Sequence, residues 1–173
     1  LGGDYSGRLN LNLRQDKGYS YGFYSGIGWN TTASSWLARG SVQTEVTGNA
    51  ISEIVDEIRT LNSSKPVSEQ EFTHAKNGLL SGVPAQFETS RQIMTQLVNM
   101  SVFQLPINYF ETSISELKQL QIENVLQSAK NHVRPANISI VIIGDREVVE
   151  PQLNDLGLPM IHVDMYGTKI SKQ

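Results

Sequence analysis

Two stretches near the start of the chain differ in the kind of apolar residue they carry. Leu9-Asn10-Leu11-Asn12-Leu13-Arg14 is built on leucines and ends in an arginine, whereas Tyr19-Ser20-Tyr21-Gly22-Phe23-Tyr24 is an aromatic run of strong β formers. Between them Gly18 can take the positive φ that closes a helical turn ahead of a strand. The pattern predicts a short helix, a sharp reversal and a strand, with Arg14 and Tyr21 in reach of one another. At period two, Tyr19, Tyr21 and Phe23 share one strand face, and so aromatic a face needs a core, a partner or a substrate against it.

Further along, the glycines and polar residues of 25–32 read as a strand end and a turn, and 36–44 reads as a second strand pairing with the first, with Gly40 marking a bulge. The period then becomes helical. Ala50, Ile51, Ile54, Val55, Ile58 and Leu61 form one stripe, with Thr47 as the expected N-cap and Asn62-Ser63-Ser64-Lys65-Pro66 as the stop. Ser68-Glu69-Gln70-Glu71 is a capping box that opens a helix running to Pro84, with Phe72, Ala75, Leu79, Leu80 and Val83 at helical intervals. A third helix starts near Ser90, with Ile93, Met94, Leu97 and Val98 as its expected buried side. Two more are predicted over 109–117 and 122–133.

Ile138-Ser139-Ile140-Val141-Ile142-Ile143-Gly144-Asp145 is nearly continuous in β-branched residues, which predicts a strand at the centre of its sheet. A short helix over 148–153 and a last strand over 161–163 follow. Strands at both ends with helices between them predict an α+β fold, a two-layer arrangement with a mixed or antiparallel sheet covered by helices. No repeat or low-complexity linker interrupts residues 1–173, which are read as one domain.

Composition narrows the function. A net charge of −3 and a pI near 5.6 supply no basic face of the kind nucleic-acid binders carry, so that class is set aside. The absence of cysteine excludes disulfides, thiol catalysis and cysteine-ligated zinc. No apolar run approaches the roughly 18 to 20 residues of a membrane-spanning helix. His74, His132 and His162 stand in separate segments, outside the His-x-x-Glu-His and His-Glu-x-x-His spacings that set two imidazoles on one helix face, so no metal site is expected. The serine-rich and glycine-rich points lack a nucleophile-elbow or phosphate-loop context, and turns explain them.

The words LGGDYSGRLNLNLRQDKGYSYG resemble the signature of the pitrilysin (insulinase) family of zinc metallopeptidases. The likeness is to the carboxy-terminal, inactive half-domain, whose pattern runs Leu-Gly-Gly, Ser-Arg-Leu, Leu-Arg, Gly, Tyr. One departure is Gly7, where the family usually has a small polar residue. The resemblance implies a mitochondrial-processing-peptidase-like half-domain, here truncated at its amino end, with a strand and most of a helix expected upstream of Leu1. It implies that Zn2+ resides in a partner catalytic half and that this chain binds no cofactor and is inactive alone. The expected partners are a zinc-bearing half-domain or subunit and a peptide substrate, with a homodimer of the fragment allowed, and the implied compartment is the periplasm or cell envelope.

The family's half-domain carries an arginine and a tyrosine with six residues between them, a spacing that falls here on Arg14 and Tyr21. From spacing alone, Arg14 caps a helix end and Tyr21 packs in the core. The resemblance instead makes the pair substrate-binding, transition-state donors, since guanidinium and phenol both donate hydrogen bonds to a peptide carbonyl. Two readings stay open: a half of a working metallopeptidase, or a non-catalytic scaffold of the same superfamily.

Overall fold

The helix, reversal and strand predicted at the start of the chain are all present in the computed structural model, which describes residues 1–170. Helix α1 (Arg8–Asn10) runs straight into a π-helical segment, Leu11–Asp16, in which the Lys17 amide reaches back five residues to Asn12 O at 2.9 Å. Gly18, at φ +67°, makes the reversal, and the Tyr19 amide closes it on Leu13 O at 2.7 Å. Strand β1 (Ser20–Gly28) then pairs with β2 (Ser35–Val42) in a two-stranded antiparallel sheet. Helices α2 (Thr47–Thr60), α3 (Glu69–Gly82), α4 (Ser90–Val102), α5 (Tyr109–Gln119), α6 (Ile122–His132) and α7 (Arg146–Asn154) follow, and the class is α+β.

The chain divides into two compact units. One comprises Leu1–Tyr24, Arg39–Asp56 and the stretch from Ser139 onward; the other comprises Ser25–Ala38 and Glu57–Ile138. The first unit buries Leu9, Leu13, Phe23, Ala50, Ile51 and Val149, together with the polar Asn10 and Thr47. Each fully buried leucine contributes about 2 kcal/mol of transfer free energy. The ring of Phe23 lies against Gly40 of β2, where an added Cβ would sit 2.7 Å from Phe23 Cε2 and 2.8 Å from Gly22 O. Gly40 is therefore set by the aromatic beside it.

Helix α2 starts differently from the expected Thr47 cap. A 3-10 turn over Thr44–Val46 leads into it, Thr47 is already helical (φ −57°, ψ −46°), and its hydroxyl donates back to Thr44 O at 2.9 Å. The cap comes from far along the sequence. Gln152 of α7 accepts from the Gly48 amide at 3.0 Å, satisfying a donor that the first turn of a helix leaves open, and donates to Thr44 O at 2.9 Å.

In the second unit, the predicted capping box is present: Ser68 Oγ accepts from the Glu71 amide at 3.3 Å, and Glu71 accepts from the Ser68 amide at 2.9 Å. Helix α4 has its own box, Thr89 with Gln92. Lysine and asparagine side chains close helix C-termini there. Lys76 of α3 donates to Lys118 O and Leu120 O at the end of α5, both at 2.8 Å, and Asn62 Nδ2 donates to Ala129 O and Val133 O at the end of α6.

Three expectations are corrected. Residues 138–145 form no strand, and Val141 and Ile143 are 84% and 97% exposed. β-Branched composition prepares a backbone for a ladder, but a strand exists only where a second strand answers its N–H and C=O groups, and none does among the described residues. Residues 161–163 likewise contribute only an isolated bridge, Val163 to Lys169. The apolar side of α4 is not buried: Met94 is 64% exposed, and Ile93, Leu97 and Val98 are exposed with it. An amphipathic stripe records a preference for cover, not who supplies it.

Candidate functional site

Arg14 and Tyr21 both fall in the first unit, on consecutive elements, Arg14 in the π-helical segment and Tyr21 on β1. The hydrogen bond from the Tyr19 amide to Leu13 O locks the residue before Arg14 to the residue two before Tyr21, so the turn between them is rigid. A π-helical turn widens the helix and shifts the direction of the side chains it carries, a feature frequent at functional sites.

The phenol of Tyr21 is 94% exposed, although Phe23, two residues on, is buried. The shared strand face is thus divided: Phe23 enters the interior and Tyr21 is presented outward. The account of Tyr21 as a core residue is excluded by this exposure. Arg14 is half-buried, with its guanidinium carbon over the Tyr5 ring, 4.4 Å from the centroid. Among the described residues its side chain makes no hydrogen bond or ion pair, to Tyr21 or to any other group.

Sequence reasoning overlooked Tyr5 and Asn10. Tyr5 sits in a tight turn in which Asp4 Oδ1 accepts from the Ser6 amide and the Ser6 hydroxyl, both at 2.8 Å, and Asp4 O accepts from the Gly7 amide at 3.2 Å. The Asp-x-Ser spacing announces such a turn, but not the guanidinium above it. The chain behind this turn is packed tightly: a Cβ on Gly7 would lie 2.8 Å from both Gly2 Cα and Leu1 O. The departure from a small polar residue at this position follows from that close approach. Fully buried Asn10 donates to Asp4 O at 3.1 Å and accepts from the Phe23 amide at 2.7 Å. One amide therefore holds both the turn that carries Tyr5 and the strand that carries Tyr21.

Beside this pair, Asn12 donates to Glu53 of α2 at 2.9 Å, and Lys17 pairs with the same carboxylate at 3.5 Å, fastening the π-helical segment to α2. Among the described residues no three histidine, aspartate or glutamate side chains gather as a metal site; His162 lies 3.9 Å from Glu150. No helix among these residues is long and apolar enough to cross a membrane.

Comparison with known proteins finds a family model for the opening part of the chain and solved structures of similar fold. Residues 1–79 match the model of the peptidase M16 inactive domain, the half-domain that the opening words of the chain resemble. The non-peptidase homolog YmxG of Helicobacter pylori is 24% identical over 148 residues, covering 85% of this chain and 34% of its own length. Among solved structures, a peptidase M16 inactive domain from Pseudomonas fluorescens superposes with a TM-score of 0.69 at 23% identity, over 78% of this chain and 32% of that one. A conserved protein from Enterococcus faecalis superposes at 0.59 with 17% identity, over 75% of this chain and 30% of that one. At these identities the two structures establish the fold. The chain spans about a third of the length of the relatives it matches.

Proposed function

We propose, from the inactive-domain match of residues 1–79, that this chain is the half of an M16-type peptidase that carries no metal and presents Arg14 and Tyr21 to a peptide held against a catalytic half. The observation that carries the reading is Tyr21, a phenol left 94% exposed on a strand that buries its neighbour Phe23. Leaving so large an apolar ring in water has a free-energy cost that packing did not require, and a ligand-facing role accounts for it. Arg14, against the Tyr5 ring and without a hydrogen-bonding partner among the described residues, brings in-plane N–H donors to the same unit.

Together the two groups donate to a peptide carbonyl and favour the charge that develops on its oxygen as the bond is attacked. Zinc belongs in this reading to the catalytic half, since among the described residues no three metal-ligating side chains gather. Recombining the chain with a half-domain bearing His-x-x-Glu-His and assaying peptide cleavage tests the reading. Arg14→Ala or Tyr21→Phe should each lower the rate about a hundredfold, the usual loss of one such donor. Full activity in both variants would remove the proposed roles.

A second reading is favoured by one observation: the Helicobacter pylori relative is named a non-peptidase homolog. In that case the same half-domain serves assembly without turnover, and recombination yields a stable complex that binds peptide without cleaving it.

A further inference from the structure

We propose that Tyr5 is a positioning residue for Arg14, a platform that sets the plane of its guanidinium so that the in-plane donors meet a backbone carbonyl of a bound peptide. The inference rests on the reading of Arg14 as a peptide-contacting group and adds to it the residue that orients the group. The Arg14 guanidinium carbon lies over the Tyr5 ring, 4.4 Å from its centroid, a cation–π contact that needs none of the N–H groups as conventional hydrogen-bond donors. A guanidinium carries five in-plane N–H donors, and none of those of Arg14 is taken by another side chain among the described residues. A long, free arginine samples many rotamers; one held against a ring has lost part of that freedom before the peptide arrives, which lowers the ordering cost of binding.

The platform is itself fixed. Asp4 holds Ser6 through its carboxylate, its carbonyl takes hydrogen bonds from the Gly7 amide and from the buried Asn10, and Gly7 packs on Leu1 and Gly2 with no space for a side chain. Tyr5 is half exposed at the outer side of that turn, so its ring contributes little to the interior. Neither an ion pair nor a hydrogen bond of the phenol is needed: the ring face is what the stack uses.

The test uses the full-length protein, with binding of a fluorescein-labelled, carboxy-amidated unstructured peptide read by anisotropy. Tyr5→Leu should weaken binding about twofold to fivefold, the range of an exposed cation–π contact, while Tyr5→Phe keeps wild-type affinity. In an Arg14→Ala background Tyr5→Leu should have no further effect. An NMR arm reads the stack directly: the Arg14 Hε resonance, shifted upfield by the ring in the wild type, should return to its free position in Tyr5→Leu and stay shifted in Tyr5→Phe. Equal losses from Tyr5→Leu with and without Arg14 would overturn the platform while leaving the reading of Arg14 intact. Unchanged binding in Arg14→Ala would overturn the reading and the platform with it.

Discussion

The side chain of Asn10 accepts a hydrogen bond from the Phe23 amide at 2.7 Å, bridging the first helix to the strand that carries Tyr21. Its other arm donates to Asp4 O at 3.1 Å, and the residue is fully buried. A buried amide satisfied at both ends rigidifies what it joins, and truncation strands both partners away from water. Asn10→Ala is expected to destabilise the protein by about 2 to 4 kcal/mol, measured by chemical denaturation. A loss under about 1 kcal/mol would mean that the bridge is dispensable.

Gly40 tests the packing of Phe23. An alanine there places its Cβ 2.7 Å from Phe23 Cε2, and overpacking of this kind costs about 1 to 3 kcal/mol. Part of that cost should vanish in a Phe23→Ala background, where the ring is gone and only the Gly22 carbonyl, 2.8 Å away, still crowds the new methyl. Additive costs in the double variant would show that the ring is not what requires glycine.

Gln152 reaches across the sequence to the start of α2, where it holds Gly48 N and Thr44 O. Gln152→Ala is expected to cost about 1 kcal/mol, as loss of an N-terminal cap does, and to speed hydrogen exchange at the Gly48 amide above all others in the helix. Gln152→Glu keeps the acceptor for Gly48 and adds a negative charge favourable at a helix N-terminus, so Gly48 should remain protected in that variant.

Tyr21→Phe separates stability from function. With the phenol 94% exposed, its removal should change unfolding free energy by no more than about 0.5 kcal/mol, the usual range for surface changes. A thermal melt superposable on wild type, together with a peptide-cleavage rate lowered about a hundredfold in the recombined assembly, is the expected result. A melt shifted down by several degrees would instead reveal a structural role for the hydroxyl.

The surface proposed for peptide recognition is held by a small number of long-range supports that differ from the local signals in the chain. The capping box of Ser68 and Glu71, the reversal at Gly18 and the helical interval of Ala50, Ile51, Ile58 and Leu61 all appear where the sequence places them. Arg14 and Tyr21 were picked out by a seven-residue step in a family-like word. Asn10 and Gln152 were not, because nothing near either residue names a partner 13 or 104 positions away.

By itself the sequence determined the helical segments, the Ser68 capping box and the reversal at Gly18, since each depends on groups within one or two turns of chain. Tertiary structure alone decided that Phe23 is buried while Tyr21 is presented, that Tyr5 lies under Arg14, and that 138–145 finds no partner strand among the described residues. Burial and strand pairing are properties of two surfaces meeting, and a one-dimensional pattern specifies only one of the two.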